Sequence, residues 1–573
     1  MPTTRSTSDV PTLRRRELLL AGAATAAAGG LVVPPPALGD PSPPFDLPAG
    51  IAVERRRFEN WSGEIVHESV WTAAPRDAEE VLRLVRWAAR RGWRLRARGH
   101  DHTWAPFAVA PGVAVGRTLL VDTTRHLTGI RVVTGARPRV NAQAGAAMEA
   151  ILGALAEAGL GLTAVPAPGD LTIGGVLAVG GHGTGIPAVG EQRRDGASYG
   201  SISNLVLSLR AVVWDGAQGR YVLRRFHRDD PAIAPLLVNL GAAFVVDVVV
   251  RAVRDVPLRC ESFLDIPIEE LLAPTAGGGR RTLSSFLDRA GRAEIIWYPG
   301  TKSPWLKVWT PMRVRPQESR RVEAPYNYPF SDQMPRPVTD LIARAAIAPG
   351  GLGRVLGQVM HGATAVGLEA TRSSDLWGRS KDTLLYVRPT TLRVTANGYA
   401  LLTRRENVQP VLARVLAELR RAESAGAPAL LGPTEVRVTG LDHPGDCGRD
   451  GAVAPALSAL RPRPDHPEWD VAIWLDLLTI PGAPGAIARM VAFERWLLAA
   501  FDPGEVGVRV EWSKGWGYAR KGAWRSRHVL ERVIPASFDA GGGRGGWRPT
   551  VDALTRLDPH GIFRSPLLDR LLG

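Results

Sequence analysis

Cysteine is nearly absent. Two in 573 residues, Cys260 and Cys447, exclude a disulfide framework and a CxxC metal site, leaving one disulfide or two separate buried thiols. Lysine is almost as scarce: Lys302, Lys307, Lys381, Lys514 and Lys521 stand against 66 arginines. The net charge of +15 therefore rests on arginine. Those arginines are spread through nearly every segment and form no basic stripe with interleaved aromatics, so a coding bias accounts for them and no nucleic-acid partner is expected. There are no internal repeats. A hydrophobic content of 45% with 22% charged residues excludes wholesale disorder. The length suits roughly two to four domains.

Residues 12–39 read TLRRRELLLAGAATAAAGGLVVPPPALG. Arg15 and Arg16 precede Glu17, Leu18 and Leu19, and a small-residue apolar run continues to Val33. The run is too short and too weakly apolar for a membrane span, and Ala37-Leu38-Gly39 offers a cleavage site of small residues. A buried Ala-rich helix would have a similar composition. The segment resembles a twin-arginine signal, which exports folded proteins and so suits one loaded with a cofactor beforehand. Residues 1–39 are accordingly expected to be a signal peptide and 40–57 a linker, with the mature protein periplasmic or extracellular.

The spacing predicts a helix over PRDAEEVLRLVRWAARRG: Val81, Leu84, Val85 and Ala88 fall on one face, acids cluster in the first turn, and Gly92 ends it. Trp93 to Arg98 alternates as a strand, with Gly99-His100-Asp101-His102-Thr103-Trp104 as the loop leaving it. Two His and one Asp in three residues suit either a metal or a solvated polar loop, but no further ligand cluster such as HExxH occurs and no metal is expected. Arg139 to Ala144 reads as a strand and Ala147 to Glu157 as a helix. Then comes APGDLTIGGVLAVGGHGTGIPAVG, in which eight residues from Gly169 to Gly190 are glycine. Bare backbone of this kind suits a pyrophosphate cradle or a structural loop. It contains neither GxGxxG nor a P-loop. Gly196-Ala197-Ser198-Tyr199-Gly200 matches the GxSxG elbow of serine hydrolases, but GEQRRD before it is no buried strand and the strand-like SISNLVLSLRAVVW after it is no helix.

The strand-loop His, the Gly-rich run some seventy residues on and the apolar strand GAAFVVDVVVRAV occur in an order that resembles the FAD-binding domain of the vanillyl-alcohol oxidase superfamily. RLRARGHDHTWAPFAV, APGDLTIGGVLAVGGHG, YGSISNLV, AEIIWYP, SPWLKVWT, YNYPFSD, DLWGRSKD, RPRPDHPEWDVAIWL, EWSKGWG and LDPHGIF resemble segments of the bacterial type II cholesterol oxidases from about residue 58 to 573. The resemblance implies FAD, linked covalently through His102, with His100 as the rival. It implies a cofactor site built from Gly99, Asp101, Trp104, Pro168, Gly169, Asp170, Leu171, Thr172, Gly174, Gly175, Gly180, Gly181, His182, Gly183 and Tyr199.

Most of the 17 Trp lie between about residue 256 and 540. Trp297, Trp305 and Trp309 form one group, and Trp469, Trp474, Trp512, Trp516 and Trp524 another; such residues build cores and apolar pockets alike. Pro433 to Thr439 alternates as a strand, with Glu435 and Arg437 on one face and Val436 and Val438 on the other. By itself that describes a solvated surface strand. The resemblance instead implies a catalytic pair, Glu435 moving protons and Arg437 holding an oxyanion, with Glu294 gating oxygen beside the Arg. It also implies Asn where this chain has Asp476, a substitution that removes a donor if the acid is ionised. The expected fold is α+β: a flavin domain at 58–255 with two mixed sheets, a substrate domain at 256–540 on a large antiparallel sheet, and residues 541–573 returning to the flavin domain. The expected function is oxidation of a 3β-hydroxysterol by O2 to a 3-ketosteroid, the 4-en-3-one after isomerisation, with hydrogen peroxide. Transient contact with a membrane surface would serve sterol extraction; nothing in the sequence sets an oligomeric state. Oxidation or dehydrogenation of another bulky apolar alcohol is the alternative, motivated by Asp476. A sterol carrier without activity is opposed by His102, Glu435 and Arg437.

Overall fold

The computed structural model describes residues 46–573 apart from 113–114, 193, 275–278, 333–334, 349–352, 385–391 and 540–544, so the stretch 1–39 read as a signal and the first six residues of the stretch read as linker lie outside it. Strand β1 (Ala52–Glu59) pairs antiparallel with β2 (Val66–Ala74). It begins inside the stretch 40–57 read as linker. Its sequence AVERRRFE buries only Phe58, so no apolar alternation marks it; main-chain pairing to β2 makes it an edge strand. Helix α1 (Ala78–Arg91) follows, started by Asp77, whose side chain accepts from the Glu80 N–H, and ended by Gly92 at φ 66°. An N-cap of this kind contributes about 1 kcal/mol. Val81, Leu84, Val85 and Ala88 are all buried, as the spacing predicts. Strands β3 (Arg94–Arg98) and β4 (Thr118–Asp122) complete a mixed sheet in the order β1-β2-β4-β3, parallel at β2/β4 and β3/β4.

Next come β5 (Ile130–Val133), β6 (Arg139–Gln143), α2 (Met148–Glu157), β7 (Leu160–Gly161), α3 (Ile173–Ala178), β8 (Val206–Asp215), β9 (Arg220–His227), β10 (Phe244–Arg251) and β11 (Val253–Arg254). Five of these strands form a sheet in the order β5-β6-β10-β8-β9, and β7 pairs with β11. Every pair in the five-stranded sheet is antiparallel, so only the first of the two expected mixed sheets is mixed. Parallel neighbours need a long crossover. Here α1 carries the chain from β2 past the place of β4 to β3, and the long stretch after β3 brings it back to β4 between them, whereas β5–β6 and β8–β9 are simple hairpins.

The remaining chain builds β12 (Leu258–Phe263), α4 (Leu283–Ala290), β13 (Arg292–Trp297), β14 (Trp305–Pro311), β15 (Arg320–Arg321), α5 (Arg336–Ile347), α6 (Gly353–Ala370), β16 (Asp375–Gly378), β17 (Thr395–Thr403), α7 (Val408–Ser424), β18 (Thr434–Gly440), β19 (Val471–Thr479) and β20 (Gly507–Val510). Nine strands join in the order β15-β16-β12-β14-β13-β18-β19-β17-β20, antiparallel except at the short β15/β16 edge. All nine residues of β19 are buried. Finally α8 (Trp547–Leu557) and α9 (Pro566–Leu572) pack back onto the flavin-side sheets. The Leu95 N–H donates to the Ile562 carbonyl at 2.8 Å, Arg94 meets Asp569 at 2.6 Å, and Ile562 and Phe563 join the core under α1. Cys260 and Cys447 are free and buried. Among the described residues no helix is long and apolar enough to cross a membrane.

Candidate active site

Ladder register, not sequence proximity, assembles the charged centre. On the β14-β13-β18-β19 rows, Lys307 stands opposite Glu294, Glu294 opposite Arg437, and Arg437 opposite Trp474. One row over, Glu435 stands opposite Asp476 and Asp476 opposite Gly398 of β17. Side chains directly opposite in a sheet share a face. Arg437 is therefore gripped three ways: its Nε donates to Glu294 Oε1 at 2.8 Å, Nη2 to Glu435 Oε2 at 2.7 Å and Nη1 to Asp476 Oδ2 at 3.1 Å. Lys514 Nζ also donates to Asp476 Oδ2 and lies 3.2 Å from Glu511 Oε2.

These groups are deeply placed. Glu294 is 4% exposed and Asp476 0%. Burial alone would raise the Glu294 pKa, but the guanidinium of Arg437 and the ammonium of Lys307 hold it below the usual carboxylate value. Burial likewise opposes charge on Lys514, and Asp476 and Glu511 outweigh it, leaving its pKa raised. Removing one partner from such a buried cluster typically costs about 3–5 kcal/mol.

One continuous cavity of about 500 Å³ connects this centre to the Gly-rich run. Gly99, His100, Asp101, His102 and Trp104 line its wall together with Pro168, Leu171, Thr172, Gly174, Gly175, Gly181, His182 and Gly183. Glu294, Glu435 and Arg437 line it from the other side. Beyond them it extends into an apolar slot between Tyr298, Leu356, Met360, Leu392 and Leu431. Gly169, Asp170, Gly180, Tyr199 and Asp476 are not on the wall. Asp170 stands behind His102, its Oδ1 2.9 Å from the imidazole Nε2. The His102 contact holds the Asp170 carboxyl low despite its burial. Asp476 lies behind Arg437. Tyr199 donates to Glu191 at 2.6 Å and lies under Gly440, a packing role.

The glycines leave room that side chains would fill. A methyl group on Gly183 would come within 2.5 Å of the Val165 carbonyl oxygen, and one on Gly99 within 2.4 Å of Thr172 Oγ1. Gly180 sits at φ 66°. The wall thus presents bare main chain, the surface a pyrophosphate needs. In the loop from β3, burial pushes the Asp101 carboxyl up to about 6 although Arg98 lies beside it, and Asp101 itself adopts a left-handed φ of 58°. Among the described residues no group of three or more His, Cys, Asp or Glu is placed to hold a metal ion. Ser198 of the GxSxG match accepts from Gly200 N and Asn204 Nδ2, and a single 3-10 turn, Ile202–Leu205, leads straight into β8 where the elbow needs an α-helix.

Lys307, Glu511 and Lys514 line the cavity without having been singled out in the sequence. Lys307 lies 5.2, 5.0 and 4.9 Å from the rings of Trp305, Trp309 and Tyr328. Its signal was the alternation in WLKVW, which puts Lys307 on the face shared by the two Trp. Among five lysines in the whole chain, one set between aromatics in a strand is unusual enough to find. Glu511 and Lys514 sit in a loop after β20, where no periodicity marks an inward side chain. The aromatic groups divide: Trp305 and Trp309 line the cavity, whereas Trp297, Trp469, Trp474, Trp512 and Trp516 are core.

A bare-backbone cradle facing an apolar slot across a charged sheet defines a two-domain flavoprotein oxidoreductase. Residues 71–220 match the FAD binding domain family, and residues 257–573 match the family described as cholesterol oxidase, substrate-binding. The chain belongs to the cholesterol oxidase family and is an FAD-dependent sterol oxidase. Its fold is similar to that of a solvent-stable cholesterol oxidase, with TM-score 0.90 and 51% identity over 93% of this chain and 100% of that one. It is also similar to the cholesterol oxidase of Brevibacterium sterolicum, and to a His-to-Ala variant of it, each with TM-score 0.89 and 40% identity over 93% and 100% of the two chains. A more distant likeness, 29% identity over 201 residues, connects 35% of this chain to 41% of the L-gulono-1,4-lactone dehydrogenase of Mycobacterium tuberculosis. This chain therefore spans well under half the length of that curated relative.

Proposed function

We propose that a 3β-hydroxysterol enters the apolar slot and is oxidised where Glu435 and Arg437 meet the cofactor cradle. The observation that carries this reading is the single cavity joining slot and cradle, with that pair at the junction. Glu435 accepts the proton of the sterol hydroxyl, directly or through a water. Arg437, fixed by Glu294 and Asp476, aims its positive charge at the oxygen on which negative charge develops. Bound FAD supplies the acceptor for the hydride of the carbinol carbon, with O2 as final oxidant and hydrogen peroxide as product. Glu435 then carries a proton during double-bond migration, giving the 4-en-3-one. Glu294, on the same cavity wall, suits control of oxygen entry through Arg437. The backbone at Gly174, Gly175, Gly181 and Gly183 would hold the pyrophosphate.

His102 would carry the covalent flavin link. Its Nε2 is held by Asp170 and it is largely buried, whereas His100 is exposed. Acid precipitation of the purified holoenzyme followed by peptide mapping tests this: flavin should stay with the 99–104 peptide and be released in His102→Ala but not in His100→Ala. The reverse result overturns the assignment.

The outer surface of the slot supports brief docking on a membrane. Val355, Val359 and Val366 of α6 are exposed and fall within about 40° around that helix. Leu356 and Met360 of the same helix line the slot. Leu341 of α5 is 64% exposed as well. Residues 1–39 complete the proposal as a twin-arginine export signal; Arg15→Lys with Arg16→Lys should abolish export and leave active enzyme in the cytoplasm. Oxygen uptake, peroxide yield and product analysis with cholesterol and a panel of lipophilic alcohols test the activity. Failure to turn over any sterol would refute it.

A further inference from the structure

The charged centre is one cation short. Glu294, Glu435, Asp476 and Glu511 face Lys307, Arg437 and Lys514; His182 lies 3.6 Å from Glu511 Oε1, and Asp332, Cys260 and Tyr298 neighbour Lys307, Glu294 and Glu435, where burial favours the neutral form of all three. An uncompensated charge at this depth is costly. Two oxygens in the cluster also lack hydrogen bonds. Asp476 Oδ1 and Glu511 Oε2 are buried with no donor among the described residues. Lys514 forms an ion pair with Glu511 Oε2 at 3.2 Å, while its hydrogen bond goes to Asp476 Oδ2. Both orphaned oxygens face Gly398: a methyl group on that residue would lie 2.8 Å from Asp476 Oδ1 and 2.9 Å from Glu511 Oε2. The two carboxyls thus meet over the space that the missing side chain of Gly398 leaves open.

We propose that Asp476 and Glu511 share one proton, so that Asp476 is a neutral acid donating from Oδ1 to Glu511 Oε2 while Oδ2 accepts from Arg437 and Lys514. A single proton satisfies both orphaned oxygens and balances the cluster at three charges of each sign. Desolvation, then the neighbouring Glu511 carboxylate, push the Asp476 pKa up to about 8, while Lys514, Arg437 and Glu435 modulate it. Burial opposes ionisation of Glu511, and Lys514 and His182 overcome it, holding its pKa well below the carboxylate range. The acid of the pair is thus Asp476 and the base Glu511.

Asp476 is off the cavity wall and acts through Arg437; it is a positioning residue. When the shared proton leaves, a full negative charge appears 3.1 Å from Arg437 Nη1. That charge competes with the substrate oxygen for the guanidinium. The pair therefore sets the alkaline limit of the enzyme. This role rests on the sterol-oxidase reading, but the proton itself does not.

Infrared difference spectroscopy of the holoenzyme, Asp476→Asn minus wild type, tests the proton without substrate. A carboxylic-acid carbonyl band present in wild type at neutral pH, lost on titration through about 8 and missing from D476N, is expected. The kcat/KM profile of wild type should then fall with unit slope above that pH, and the fall should vanish in D476N. If D476N does not fold with flavin, Glu511→Gln serves: with one carboxylate fewer, Asp476 ionises and the band is lost. Absence of the band from wild type, as a fourth cation on His182 would produce, overturns the proposal. So does a band that survives in either variant. An enzyme inactive on sterols would leave the infrared result standing, so the two failures are distinguishable.

Discussion

The two walls of the cavity are made by opposite means. The flavin wall is glycine, and its chemistry comes from main chain that no side chain covers. The substrate wall is charge, and its chemistry comes from side chains set opposite one another on four strands, with Glu511 and Lys514 added from a loop. The first depends on what is missing from a continuous stretch of sequence. The second depends on register across residues hundreds of positions apart, so it tolerates local change poorly in a different way: one altered partner unbalances all the rest.

Breaking each wall should separate these dependencies. The largest effect is expected from Gly183→Val, because a Cβ there meets the Val165 backbone, which cannot step aside. Flavin absorbance per chain should drop to background, and with it all activity. On the charged wall, Glu435→Gln should keep full flavin content while lowering kcat by about 10²–10⁴, the usual contribution of a general base. Arg437→Lys should cost somewhat less, about 10²–10³ in kcat, because a single ammonium cannot serve three carboxyls at once. Stopped-flow reduction and flavin spectra on the same preparations compare the two walls directly.

A smaller effect sharpens the comparison through pH. Between the ordinary carboxylate range and about 8, Asp476 is protonated in the native protein and ionised in the unfolded chain. The native state then binds more protons, so this residue's stabilisation is lost as pH rises through that window. Urea midpoints should show a shallower decline with pH for D476N than for wild type. The smallest effect is expected at the outer surface: Val359→Asp with Val366→Asp should slow oxidation of sterol in vesicles several-fold and leave detergent-dispersed sterol unaffected.

The same contrast explains what was legible in the sequence. The helix over 78–91 follows from its own spacing and caps, and the Gly-rich run declares itself in one line of sequence. The strand at 434–440 reads correctly too, but its alternation says only that Glu435 and Arg437 share a face. Whether that face meets water or a cavity is decided by β13 and β19, which the local sequence does not mention. Glu511 was missed because it lies in a loop and its neighbours Asp476 and Lys514 come from pairing and from a turn. Strand β1 was missed because three consecutive arginines outweigh its one buried Phe58. The family resemblance, by contrast, reached the α+β fold class and the FAD cofactor, since long motifs carry register implicitly.

The closing of the flavin half by α8 and α9 bears on how the molecule is born. Arg94 waits for a partner 475 residues further along the chain, and β3 borrows its edge contact from Ile562. Domains usually fold in the order in which the ribosome delivers them. Here the half made first is completed by the part made last, with the whole sterol half emerging in between. Full-length synthesis is thereby a precondition for sealing the cofactor in, and a prematurely terminated product is left with an open, proteolytically vulnerable seam.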